Sequence, residues 1–237
     1  MPILPEIMRV PIMQERPFAS AAGGKLLGQV HWVSTFLLAV AFLSSLVAEF
    51  TGANADLPEA LLIVFATIST LVALARQLPL QNVLLAAGII ALVGGLAHLL
   101  CARVGIPFGP VLFGSGAEPK LFGVLPWILP LLWVVAVLNS RSVARLVLRP
   151  WRKMRAYGLW LMGLTALFTA LFDYALEPFA THIKHCWIWT AGGFVLTPQG
   201  VPVSNPVGWF AVTLLILAFA TPALINKQLS KRSHPDF

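Results

Sequence analysis

Charge is scarce in this chain. Asp, Glu, Lys and Arg together make up 11% of its 237 residues, against about 25% in an ordinary soluble domain. That shortage excludes a soluble enzyme with a solvated surface. It also excludes a disordered tail, which needs charge in place of apolar residues. Cysteine is scarcer still. Two cysteines, Cys101 and Cys186, cannot staple a small secreted domain, and no Cys/His cluster has metal-binding spacing. The phosphate-binding loop, the nucleophile elbow, HExxH and GxGxxG are all missing, as are the aspartate-rich magnesium motifs of polyprenyl transferases. What fills the chain is apolar: 58% hydrophobic residues and a mean hydropathy of +0.85. This is the composition of an integral membrane protein.

A helix crossing a bilayer needs about 20 mostly apolar residues. Six stretches qualify: 30–50, 57–75, 82–101, 121–138, 157–176 and 207–225. The runs are continuous rather than alternating, so they predict helices and not a barrel. The expected fold is an all-α polytopic membrane bundle of about six transmembrane helices with a short re-entrant or interfacial segment. Residues 1–29 form an N-terminal segment, 30–225 one transmembrane domain and 226–237 a C-terminal tail. Pro2, Pro5, Pro11 and Pro17 argue against a long helix at the start.

The net charge of +7 is placed beside the membrane and does not suggest nucleic acid. Thirteen of the sixteen Lys and Arg residues fall in the N-terminal segment, at Arg76, in 139–156 and in the tail, on one side of six spans. Arg103, Lys120 and Lys184 fall on the other. The positive-inside rule then puts both termini in the cytoplasm, and the expected home is a bacterial inner membrane. Arg141, Arg145 and Arg149 follow i, i+4, i+8 spacing. They read first as topology determinants, with an interfacial amphipathic helix on anionic lipid as the alternative.

Ionisable groups inside spans are costly and are functional candidates by default. Four occur: Glu49, His98, Asp173 and Glu177. In this topology all four lie toward the non-cytoplasmic ends of their helices. Asp173 and Glu177 are four residues apart and share a helix face. Carboxyl groups that close share a proton, and a neutral carboxylic acid can donate it while an ionised partner orients water. The plainer alternative is that Glu177 and Pro178 end the helix among headgroups, with Asp173 bonded to a neighbouring helix. Glu49 reads as a helix boundary next to Asp56 and Glu59. His98, taken alone, reads as an interhelical hydrogen bond. His31, His182 and His185 receive no role, and zinc at His182, His185 and Cys186 fits no usual spacing. Cys101 and Cys186 read first as buried free thiols, with a disulfide in an oxidising compartment as the alternative.

Two Gly/Pro/aromatic segments fall on the same side. One is 104–119, with Phe108 and Phe113. The other is 179–206, with Trp187, Trp189, Pro198, Pro202 and Pro206. Irregular apolar backbone at a membrane is tolerated where it lines a cavity. The indoles read either as interfacial belt residues or as pocket walls that steady a cation. Few polar groups and no internal repeat leave little support for an ion-coupled transporter.

An ordered set of short motifs then resembles a known family. Gly105-Ile106-Pro107-Phe108-Gly109-Pro110 and Pro119-Lys120-Leu121-Phe122-Gly123-Val124 resemble a loop-and-helix motif of the membrane-integral carotenoid biosynthesis family. Asp173-Tyr174-Ala175-Leu176-Glu177-Pro178 resembles its D-x-x-x-[DE]-P motif. Trp187-Ile188-Trp189, Gly192-Gly193, Gly200-Val201-Pro202 and Asn205-Pro206-Val207-Gly208-Trp209 follow in the family's order. The resemblance spans about residues 80–225. It implies a carotenoid 1,2-hydratase, which adds water across the terminal C1=C2 bond of an acyclic ψ end group without metal or redox cofactor. The implied roles are acid and water-orienting partner for Asp173 and Glu177, in an order left open, and a hydrogen-bonding helper for Asn205. Phe108, Trp187, Trp189 and Trp209 would line the substrate site. Where the family tends to carry Glu this chain has His98, able to move protons near neutral pH. Where it tends to carry Tyr-x-Tyr this chain has Val111-Leu112-Phe113. The alternatives are an isoprenoid-lipid-binding relative that does not hydrate, or a small transporter. Carotenoid or isoprenoid and membrane lipids are the expected partners.

Overall fold

The computed structural model describes residues 21–114, 119–190 and 196–225. The N-terminal and C-terminal basic residues Arg9, Arg16, Lys227, Lys231 and Arg232, the early prolines and the Gly192-Gly193 pair lie outside the described residues. Six helices dominate: α1 (Ala21–Thr51), α2 (Asp56–Ala75), α3 (Leu80–Val104), α4 (Ile128–Val147), α5 (Tyr157–Pro178) and α6 (Ser204–Ala220). Each is long and apolar enough to cross a membrane, with mean hydropathy from 1.3 to 2.4. The chain is an all-α polytopic integral membrane protein.

Helices α3, α4, α5 and α6 each contact the next in a closed ring, and the α1–α2 hairpin leans on the outside through α2. The ring interior holds Val83, Ile90, Leu129, Trp133, Val137, Ile216 and Leu217, all nearly inaccessible. Large apolar residues such as Phe36, Phe50, Leu92, Leu159 and Phe219 point outward. Lipid tails are as apolar as leucine, so outward leucines cost nothing and helix association rests on close packing at small residues. Gly94, Ala86, Ala136, Ala144, Ala166 and Ala220 are buried where helices meet. A methyl group on Gly94 would overlap the Trp133 ring. Gly94→Ala is therefore expected to lower stability by about 1–3 kcal/mol through overpacking. Thermal unfolding in detergent measures this, and an unchanged midpoint would refute the packing argument.

The fourth span differs from expectation. It begins at Ile128 and not at residue 121, and it runs on to Val147. Residues ahead of it form a tight hairpin of β2 (Lys120–Leu121) and β3 (Leu125–Pro126). Phe122 and Gly123 turn it with φ of 52° and 69°, left-handed values that no helix accommodates. At the far end no breaker stands before Pro150, so Arg141 and Arg145 are the last turns of α4. Arg149 begins a separate 3-10 turn, Arg149–Trp151. The three arginines thus do not form one interfacial helix. Helix α1 likewise continues upstream of residue 30 to Ala21, since a lysine near a helix end can extend its ammonium to the interface.

The segment before the last helix is extended. After a π-helical turn, Phe179–Ile183, strand β4 (Trp187–Trp189) pairs antiparallel with β1 (Val111–Phe113). The two short strands satisfy each other's backbone at the end of the bundle. Their side chains alternate: Val111, Phe113, Trp187 and Trp189 turn inward, while Leu112 and Ile188 are exposed.

Candidate active site

Helix α5 brings Asp173 and Glu177 to the ring interior one turn apart, 2% and 1% exposed. Buried carboxyls need partners. Asn205, in the first turn of α6, supplies the link. Its Nδ2 donates to Asp173 Oδ2 at 2.7 Å and to Glu177 Oε1 at 2.9 Å. Two further donors come from β4. Trp187 Nε1 and Trp189 Nε1 each donate to Glu177 Oε2 at 3.1 Å. The period-2 geometry of a strand is what lets W-x-W aim both indoles at one oxygen. Glu177 thus accepts three N–H bonds and Asp173 one.

The opposite wall is aromatic. His98 on α3 lies 4.3 Å from Phe108, 5.7 Å from Trp209 and 5.9 Å from Trp133 between ring centroids. Trp133 and Trp209 stack at 3.8 Å and 12°. Trp133 is fully buried, and its indole donates to His98 Nδ1 at 3.2 Å. Buried N–H groups are paired, so Nδ1 accepts and the imidazole proton sits on Nε2. The 3.3 Å approach of Nδ1 to the Gly94 carbonyl is then a contact of two acceptors.

The loop carrying Phe108 is held by short polar ties. Cys101 Sγ donates to the Gly109 carbonyl at 2.9 Å, and Ser204 Oγ to the Phe108 carbonyl at 3.0 Å. Gly208 lets that loop approach α6: a Cβ there would sit 2.8 Å from Phe108 Cδ1 and 2.8 Å from the Pro107 carbonyl oxygen.

One small cavity gathers all of this. It is lined by His98, Phe108, Asp173, Glu177, Trp187, Trp189, Asn205 and Trp209, every site residue expected from sequence, together with Val111 and Phe113. Its volume, about 10 Å³, is close to the least that holds one water. Trp133 was not legible as a site residue. Its signal was a tryptophan near the start of α4 packed on Gly94 of another helix, which hydropathy does not register. The arrangement puts two hydrogen-bonded carboxyl groups and apolar rings around a water-sized space.

Glu49 stays outside the cavity. It pairs with Lys184, which also meets Glu59 at 2.7 Å, tying the α1–α2 hairpin to the segment after α5. Burial lowers the Lys184 ammonium, but its hydrogen bonds to Glu49 and Glu59 outweigh this and hold it above the ordinary 10.5. A raised lysine contributes stability that is present below its unfolded value and lost as pH rises through the folded one. With Glu49 45% exposed, the pair is worth under about 1 kcal/mol. The wild-type unfolding midpoint is expected to fall above pH 10.5 slightly more than that of Lys184→Met; identical alkaline profiles would refute the tie. Burial pushes the Cys186 thiol up. Among the described residues no cluster suits a metal ion.

A family model described as carotenoid biosynthesis protein matches residues 59–236, well over half of the chain. The match takes in α2 to α6 and the whole cavity. No curated protein and no solved structure matches.

Proposed function

Because the chain belongs to the carotenoid biosynthesis protein family, we propose that it hydrates the terminal C1=C2 bond of an acyclic carotenoid or similar isoprenoid end group. The observation that carries this reading is the buried carboxyl pair tied by Asn205 and facing aromatic rings. Adding water to a trisubstituted alkene needs a proton on C2, which leaves a tertiary cation on C1. Asp173 is the donor in this proposal. Glu177 already accepts three N–H bonds, the pattern of a carboxylate, whereas Asp173 accepts one. The rings of Phe108, Phe113 and Trp209 stabilise the cation. Water then bonds to C1, and Glu177 takes the proton that water loses. Proton return from Glu177 to Asp173 restores the pair. The net change is one water added, with no electron transferred, so the chemistry calls for no redox cofactor.

His98 directs its Nε2–H toward the water or the end group as a hydrogen-bond donor, with Trp133 fixing the ring. The cavity, about 10 Å³, holds no more than about one water. The end group therefore enters by displacing the aromatic side chains that close the site. The distribution of Lys and Arg supports a cytoplasmic location for both termini and an inner membrane as home, with the site at the outer end.

The test is expression in a host that makes lycopene, followed by mass analysis of the pigments. A product heavier by one water is expected. Unchanged pigment, from protein that is folded and in the membrane, would overturn lycopene-type end groups as substrate.

A further inference from the structure

The end of the bundle away from the carboxyl pair holds a second cavity. Tyr157 at its edge and Asp173 are both on α5, about 24 Å apart at 1.5 Å per residue. This cavity measures about 710 Å³, within the range of small-ligand sites. Arg141, Arg145, Arg149 and Arg152 line it, and Leu161, Met162 and Leu217 supply an apolar wall.

Among the described residues the arginines have almost no protein partners. Arg141 is 7% exposed. Of the five N–H groups on a guanidinium, one reaches an acceptor, the Leu224 carbonyl, at 3.5 Å, the outer limit of a bond. Among the described residues, Arg145, Arg149 and Arg152 make no ion pair. The described acidic residues, Glu49, Asp56, Glu59, Asp173 and Glu177, all belong to the other end. Topology determinants work from exposed loop positions and need no burial. Burying a charge without a partner is strongly unfavourable. Arg141 is therefore placed for a counter-charge that none of the described residues supplies.

We infer that this cavity binds the phosphate of an amphiphile whose headgroup is net anionic, with the arginines on the phosphate and the apolar wall against the chain. Planar guanidinium forks match phosphate oxygens two at a time. The same arginines would also take a free diphosphate, so the test separates the two sources. This inference is independent of the hydration chemistry, and its readout is binding alone.

The experiment is native mass spectrometry of the full chain in neutral detergent. It is titrated with phosphatidylglycerol, with zwitterionic phosphatidylcholine and with inorganic diphosphate. One phosphatidylglycerol is expected to bind at least about tenfold more tightly than phosphatidylcholine, the scale of a charge-assisted hydrogen bond. The Arg145→Gln/Arg149→Gln double variant replaces exposed side chains and is expected to fold. It should lose about tenfold in phosphatidylglycerol binding with phosphatidylcholine unchanged. Displacement of the lipid by diphosphate would assign the site to phosphate from either source, and its failure to displace would assign it to lipid headgroups. Equal retention of both lipids, or undiminished phosphatidylglycerol binding in both Arg141→Gln and the double variant, would overturn the site and leave topology as the arginines' role.

Discussion

Asp173→Asn is expected to lower pigment hydration by about 10²–10⁴-fold, the range for loss of a general acid, while the protein still folds. The substituted amide has the shape of the carboxyl and keeps an acceptor for Asn205, which now donates to Asp173 at 2.7 Å. It also removes one of two carboxyl groups from a buried site, where an ionisable pair is costly to hold. The unfolding midpoint in detergent should therefore stay level or rise. Loss of product with a preserved midpoint would separate proton donation from scaffolding. Full activity in this variant would remove Asp173 from the chemistry and with it the proposed proton path.

Asn205→Leu is expected to do the opposite to stability. Leucine is close in size but donates nothing. Both carboxyl groups lose their shared donor at once, and each buried polar group left short of a partner costs about 1–3 kcal/mol, more if charged. A loss of about 2–5 kcal/mol should appear as a lower midpoint. Conversion should fall by about 10²-fold or more, because the acid and the water-holding carboxylate are no longer held in register. Combining Asn205→Leu with Asp173→Asn should recover part of the stability, since one of the stranded carboxyls is gone, but none of the activity. Such non-additivity is the signature of one shared network. A wild-type midpoint in Asn205→Leu would show that the amide links nothing.

Hydropathy located all six spans, because crossing lipid imposes a length and a composition that any reader of the chain can count. It misplaced α4. The residues 121–127 are as apolar as a span, and the left-handed turn at Phe122 and Gly123 is a backbone property with no hydropathy signature at Phe122. The continuation of α4 through Arg141 was obscured for the converse reason. Charge reads as the end of a span, although a helix continues until something breaks it.

Candidate site residues were legible in proportion to their cost. Asp173, Glu177 and His98 stood out because ionisable groups in lipid need a reason, and Asn205 and the tryptophans through the ordered motifs. Trp133 did not stand out, since an indole within a span is cheap whether it faces lipid or protein.

The sequence by itself determined that this is a six-span membrane protein and that Glu49, His98, Asp173 and Glu177 fall at one end of it, because those properties follow from composition counted along the chain. Only the tertiary structure decided that β1 and β4 pair across more than seventy residues to turn both W-x-W indoles onto Glu177, that Asn205 bridges two carboxyls and that Trp133 fixes the His98 tautomer. It alone also buried Arg141 beside a cavity that no carboxylate among the described residues lines. Each of these is a distance between residues far apart in the chain, and no local pattern encodes a distance of that kind.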